Sequence, residues 1–169
     1  ELALELLRYA GRSRLQVDGI SYSAAVSACG KTHRWEQAMA ALARLREHRL
    51  RPGLAACNAL AGAFDRAERW ALAVELLGSM REAALQPDVL TFNAAVGACG
   101  SGGPWREALH LVEVMPRHAV EPNAITFTGL AGACASGSRW ELALGLRVAM
   151  ADRGLQCDVV TYNTSVSAC

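Results

Sequence analysis

The sequence predicts an all-α fold, a solenoid of stacked helix-turn-helix repeats. Three observations predict it. The tryptophans Trp35, Trp70, Trp105 and Trp140 lie thirty-five residues apart, and the residues around them repeat in step. Self-similarity at this period marks a stacked array, each unit being one supersecondary element. The chain is 52% hydrophobic and 20% charged, rich in alanine and without strand-like alternation, which favours a helical core over disorder. Two slots accept only alanine: Ala3, Ala38, Ala73, Ala108 and Ala143, and then Ala28, Ala63, Ala98, Ala133 and Ala168. Such slots are expected where helix backbones approach closely. A single helix pair cannot bury both its faces, and stacking on neighbours does so.

The register divides the chain without insertions. Residues 1–18 align with the second half of a unit, complete units occupy 19–53, 54–88, 89–123 and 124–158, and 159–169 begin another. The first helix of each unit is expected from about the third place to the twelfth, in the third unit from Thr91 to Cys99 or Gly100. Phe92, Ala95, Val96 and Cys99 supply its apolar face. Ser21, Thr91, Thr126 and Thr161 precede that run, where a helix needs an oxygen to accept its orphan N–H groups. Gly100 to Gly103 break the third unit, and Lys31–His33, Asp65–Glu68 and Ala135–Ser138 break the others.

The second helix is expected to open at or just before the tryptophan. Pro104 suits a first helical turn, and Ser138 with Glu141 reads as a capping box. Trp35, Ala38, Met39, Leu42 and Leu45 form a three-four apolar stripe, which Met80, Met115 and Met150 close in later units. Pro116 is expected to end its helix early or kink it. Leu85-Gln86-Pro87-Asp88 and Val120-Glu121-Pro122-Asn123 form the turn to the next unit.

Composition narrows the function. A net charge of +1 is low for a protein held mainly by phosphates. Lys31 is the only lysine, the other cations being arginine. The slot of Cys29, Cys99, Cys134 and Cys169 takes Phe64 in the second unit, so it is apolar and its cysteines are reduced. Cys57 and Cys157 fill places held elsewhere by aromatics and by proline. With no C-x-x-C pair and scattered histidines (His33, His48, His110, His118), no metal site is expected. No apolar run approaches the roughly 18 residues of a membrane span, so no membrane partner is expected. The register opens and closes inside units, so the chain reads as a slice of a longer protein, with any leader upstream and with apolar surface exposed at its ends.

The period of thirty-five, and a tryptophan that opens the second helix, distinguish the array from tetratricopeptide repeats. The chain instead resembles the pentatricopeptide repeat family. The residues that carry the resemblance are Val89-Leu90-Thr91-Phe92-Asn93, Val159-Val160-Thr161-Tyr162-Asn163, Glu107-Ala108-Leu109 and Leu85-Gln86-Pro87-Asp88. It covers the whole chain, and the uniform length resembles the P-class. The resemblance implies a right-handed superhelix that binds single-stranded RNA, one nucleotide per repeat, in RNA processing, stability or translation within a mitochondrion or chloroplast.

In that family the fifth and last residues of each repeat face the base. The implied pairs are Ser23 with Gly53, Asn58 with Asp88, Asn93 with Asn123, and Thr128 with Asp158, with Asp18 and Asn163 as half-pairs. The family's rules imply uracil for the second pair, cytosine (less well uracil) for the third and guanine for the fourth. Serine hints at a purine for the first, where Gly53 has no side chain to discriminate. The implied core, 5′ to 3′, is purine-U-C-G. The second residue sandwiches the base, here Ile20, Ala55, Leu90, Ile125 and Val160, with Ala55 the weak clamp. Lys31 and Arg66 fall where family members contact phosphate, and Ser101 and Ser136 replace them later.

Other readings weigh less. The tryptophans lie on the apolar stripe, so core packing is expected over base stacking. Asn58 and Asn93 lie one turn inside their helices, where asparagine is unfavourable, which points to a polar task. No nucleophile–base pair or phosphate loop recurs, so neither an enzyme nor a cofactor is expected. A protein-binding solenoid of tetratricopeptide type is the alternative, and it predicts no polar pair repeating at this period. Stacking contributes about 1–3 kcal/mol per base, roughly 4–12 for four repeats, against an association cost of about 4–15 kcal/mol. The 169 residues alone are expected to bind RNA weakly or undetectably.

Overall fold

The computed structural model describes residues 24–29, 34–47, 52–157 and 159–168. Residues 24–29 are helical. There follow α1 (Trp35–Glu47), α2 (Leu54–Arg66), α3 (Trp70–Glu82), α4 (Val89–Gly100), α5 (Trp105–Val114), a 3-10 turn (Met115–His118), α6 (Ala124–Ser136), α7 (Trp140–Asp152) and α8 (Val159–Ser167). No strand occurs among the described residues. Successive first helices α2, α4, α6 and α8 pack directly on one another, whereas the second helices α3, α5 and α7 pack on first helices and little on each other. A stack that is tight on one side and splayed on the other curves toward the tight side. The first helices therefore line the inner face.

Each second helix begins at its tryptophan, as the sequence indicates. The first helices begin two residues earlier than expected. The cap is not the threonine. Asp88 caps α4, accepting the Thr91 N–H at 3.0 Å, while Thr91 Oγ1 accepts the Asp88 N–H at 3.3 Å. Asn123 and Thr126 repeat this on α6 at 3.1 and 3.0 Å. The sequence hid the first turn because its residues, such as Leu90 and Ile125, are exposed and break the buried pattern.

Two further expectations need correction. Pro104 is the cap residue before α5 and lies outside its first turn. Ser138 and Glu141 form no capping box. Ser138 has φ 54° and belongs to the end of α6, where its N–H bonds Ala135 O at 3.0 Å and the Arg139 N–H bonds Cys134 O at 2.8 Å. This six-to-one, five-to-two pattern is a Schellman motif, and it also closes α2, α3, α7 and the 3-10 turn after α5. Left-handed Glu68, Ala84, Ala119, Ser138 and Gly154 occupy its special position. After the second helices, the Leu85, Val120 and Leu155 backbone N–H groups donate to the Met80, Met115 and Met150 carbonyls. Pro116 ends α5 early, as expected, by converting its last turn to 3-10 form.

The alanine slots behave as close-packing points. Ala38, Ala63, Ala73, Ala98, Ala108, Ala133 and Ala143 are all buried, while Ala28 is exposed. Cys29, Cys99, Cys134 and Phe64 share one buried slot, and the five described cysteines are reduced thiols outside any disulfide. Burial, then the nearby Glu107 charge, pushes the Cys99 thiol up to about 11, so it stays an unreactive apolar group. Met80, Met115 and Met150 close the stripe as expected, but Met39 is partly exposed. Exposed apolar side chains gather on α7 (Trp140, Leu142, Leu144, Val148) and α8 (Val159, Val160, Tyr162, Val166).

The tryptophans join consecutive repeats. Trp35 packs on Phe64 of the next unit and lies under the Arg69 guanidinium. A Cβ on Gly103 would stand 2.9 Å from Trp70, and one on Gly137 would stand 2.5 Å from Trp105. Arg106 and Arg139 both lie over the Trp105 ring. The indoles of Trp35, Trp70 and Trp105 are thus wedged against the turn between the two helices of the following repeat, whereas Trp140 is exposed. Among the described histidines, His118 packs on Phe92. No described helix is long and apolar enough to cross a membrane, and no described cluster could hold a metal ion.

Candidate nucleic-acid interface

The inner helices carry polar pairs that bridge thirty residues of sequence. Asn58, in the second turn of α2, donates through Nδ2 to Asp88 Oδ2 at 2.9 Å. Asn93, at the same place in α4, donates to Asn123 Oδ1 at 3.2 Å. In both cases a fifth-place side chain meets the residue that caps the next inner helix. The stacking of first helices on first helices brings the two together.

A third group completes each pair. Thr91 Oγ1 donates to Asn58 Oδ1, and Thr126 Oγ1 donates to Asn93 Oδ1. Both threonines are fully buried, and so is Thr161. Thr161 bonds the Thr128 hydroxyl at 2.6 Å, in the same geometric role. A threonine before an apolar run signals a cap, which conceals this contact in the sequence. The threonines' recurrence at thirty-five residues was the available signal.

These networks fix which atom of each amide faces which way. A carboxylate only accepts, so the atom of Asn58 facing Asp88 is the amide nitrogen. Asn123 Oδ1 accepts the Thr126 backbone N–H, so it is the oxygen, and Asn93 must turn its nitrogen toward it. The two asparagines are therefore held identically, but the capping residues present different chemistry. Asn123 Oδ1 is taken up by Thr126 and Asn93, which leaves its NH2 as a donor. Asp88 has only acceptor oxygens. Burial alone would raise the Asp88 carboxyl, but bonds from the Thr91 N–H, the Asn58 amide and the Leu90 N–H outweigh it and hold the group below its ordinary 3.8. Thr128 gives its proton to Ala124 O at 2.8 Å, so Thr161 supplies the proton between the two hydroxyls. That leaves Thr128 Oγ1 an acceptor.

Apolar side chains flank the polar groups. Leu90, Ile125 and Val160 are 60%, 64% and 59% exposed, an unusual state for large aliphatic groups recurring on one face. They lie three residues before Asn93, Thr128 and Asn163, so each shares a helix face with the polar place. Ala55 is exposed at the same place before Asn58. Each described fifth-place group from α2 to α6 thus lies between an exposed second-place residue of its own repeat and one of the next.

The remaining expected site residues divide clearly. Gly53 is exposed, in extended conformation, and caps α2 without a side chain. Asn163 is exposed on α8. Arg66 is exposed in the last turn of α2, where a Cβ on Gly62 would stand 3.5 Å from its guanidinium. The Ser136 hydroxyl turns back to Gly100 O at 3.0 Å. Asp18, Ile20, Ser23, Lys31 and Asp158 lie outside the described residues.

A pentatricopeptide repeat domain model matches residues 5–66 and 53–102, and a PPR repeat model matches residues 90–120. The chain belongs to the pentatricopeptide repeat family. The PPR fold extends over nearly all of it. The crystal structure of PPR10 from maize superposes with a TM-score of 0.76 at 27% identity, covering 98% of this chain and 24% of that one. PPR10 in complex with an 18-nt psaJ RNA element gives 0.78 at 27% identity, covering 90% and 22%. The PPR domain of Arabidopsis thaliana protein-only RNase P 1, in complex with tRNA, gives 0.81 at 16% identity, covering 98% and 88%, which shows a shared fold. The chain thus spans about a quarter of the length of PPR10. No curated protein sequence matches it.

Proposed function

We propose that these pentatricopeptide repeats bind single-stranded RNA, one nucleotide per repeat, with the cross-repeat pairs reading the bases. The observation that carries the reading is the recurrence of bonded pairs, Asn58–Asp88 and Asn93–Asn123, each set between exposed second-place residues. A flat base inserted between Leu90 and Ile125 would cover apolar surface on both faces and present its edge to Asn93 and Asn123. The PPR10 complex with an 18-nt RNA element supports RNA as the class of ligand.

The donor and acceptor pattern supports the base order. Uracil carries a ring N–H, which suits the Asp88 carboxylate, whereas cytosine has a ring nitrogen lone pair, which suits the Asn123 NH2. The acceptor oxygen of Thr128 suits the amino and imino hydrogens of guanine. Ala55 covers little of a base and Gly53 reads none, so the first complete repeat contributes least. The order is purine-U-C-G, 5′ to 3′, with Arg66 (and Lys31) contacting phosphate and no equivalent cation later in the array. Family membership supports a role in RNA processing, stability or translation within a mitochondrion or chloroplast. The repeats act as a binding module without cofactor or metal.

A selection of random single-stranded RNA by the full-length protein tests the proposal. The enriched motif should contain U-C-G in that order. Enrichment of RNA without it would defeat the assignment. Replacing Asn93 by threonine and Asn123 by aspartate should move the third unit toward guanine.

A further inference from the structure

We infer that the third-place threonines Thr91, Thr126 and Thr161 are positioning residues, each for the base read by the repeat before it, so that the reading unit is a triad spanning two repeats. This rests on the base-reading role of the pairs. Thr126 holds Asn93 by its oxygen while Asn123 holds it by its nitrogen. A carboxamide pinned at both ends has one rotamer, leaving one N–H and one lone pair for a ligand. Without Thr126 the asparagine is anchored at one end only, and its rotamer freedom must be lost again on binding. Thr91 stands in the same relation to Asn58, and Thr161 to Thr128.

Two features within the chain support the triad as a unit. All three threonines are fully buried on the inner helices, so a hydroxyl there needs partners, and it finds them across the repeat junction. In the junction between units 19–53 and 54–88, Gly53 lacks a side chain, and the third place is Ala56, which has no hydroxyl. The capping side chain and the hydroxyl are lost together.

The anchors that remain after removal differ in strength. Asn58 keeps a charge-assisted bond to Asp88 at 2.9 Å, whereas Asn93 keeps a neutral amide bond of 3.2 Å. Thr126 therefore matters more to its base than Thr91 does. Thr126→Val removes the hydroxyl and keeps the shape. In the full-length protein, RNA binding is measured with ligands that differ only at the nucleotide facing unit 89–123. Thr126→Val should lower cytosine-over-uracil selectivity there by about threefold to tenfold, the value of one hydrogen bond. Thr126→Ser should restore it, and selectivity at the nucleotide facing 54–88 should stay unchanged. Thr91→Val should show the smaller effect at that other nucleotide, and it carries the test if Thr126→Val does not fold. Equal loss at both nucleotides, or none at either, would overturn the positioning role. An Asn93→Ala control separates the two levels. If it abolishes selectivity while the valine variants do not, only the threonine role is lost. If Asn93→Ala changes nothing, the base-reading proposal fails, and the positioning role with it.

Discussion

Asp88 and Asn123 occupy equivalent places and perform two tasks at once. Each caps an inner helix, and each holds the fifth-place asparagine of the repeat before it. Asp88→Ala should cost about 1–2 kcal/mol of stability by removing the cap, measured by denaturant unfolding. Asp88→Asn should retain most of it, because asparagine caps equally well. The two variants also separate by pH. The folded Asp88 carboxyl lies below its ordinary 3.8, so its contribution is complete above that value and is lost as pH falls through the lower, folded one. Wild type should lose this stability in acid, and Asp88→Asn should not. Asn58 and Asn93 were legible as polar groups one turn inside their helices, and their pairing with Asp88 and Asn123 as what the family resemblance implies. The link through Thr91 and Thr126 was not, since a hydroxyl near a helix start reads first as a cap, and its partner lies thirty-three residues away.

At the scale of the element, helix ends set the geometry. The tryptophans gave the starts of the second helices from sequence alone, because an aromatic opening an apolar stripe is a strong local signal. The starts of the first helices were misplaced, because their first turn exposes apolar groups to the inner face. Helix ends in both classes use left-handed residues that are mostly not glycine. Ala84 and Ala119 have φ 55° and 57°, where Gly154 stands in the fourth unit. Ala84→Gly should raise stability by up to about 1 kcal/mol, the left-handed strain relieved less the entropy that glycine adds to the unfolded chain. Thermal melting checks this. The turn glycines have a different cause. A Cβ on Gly137 would meet Trp105 Cδ1 at 2.5 Å, at a joint between repeats. Gly137→Ala should therefore destabilise by about 1–3 kcal/mol, the usual cost of overpacking, in the same melting assay.

The whole molecule is a stack whose joints are built from the same few places in each repeat. That is why its architecture was legible: one period, read once, places every helix. Specificity was less legible, because it depends on which atom of an amide points inward, and that follows only from the three-dimensional network. On the proposed reading the stack is also modular, since each pair bridges its own junction. Asn123→Asp is the direct probe of this. It keeps the cap, preserves the contact with Asn93 and exchanges an NH2 donor for an acceptor, reproducing the chemistry of Asp88. The deciding measurement is RNA selection by the full-length protein and by its Asn123→Asp variant, compared position by position. U-C-G should become U-U-G, with the change confined to the nucleotide facing 89–123. An unchanged motif, or a change spread over several positions, would contradict the proposed base reading.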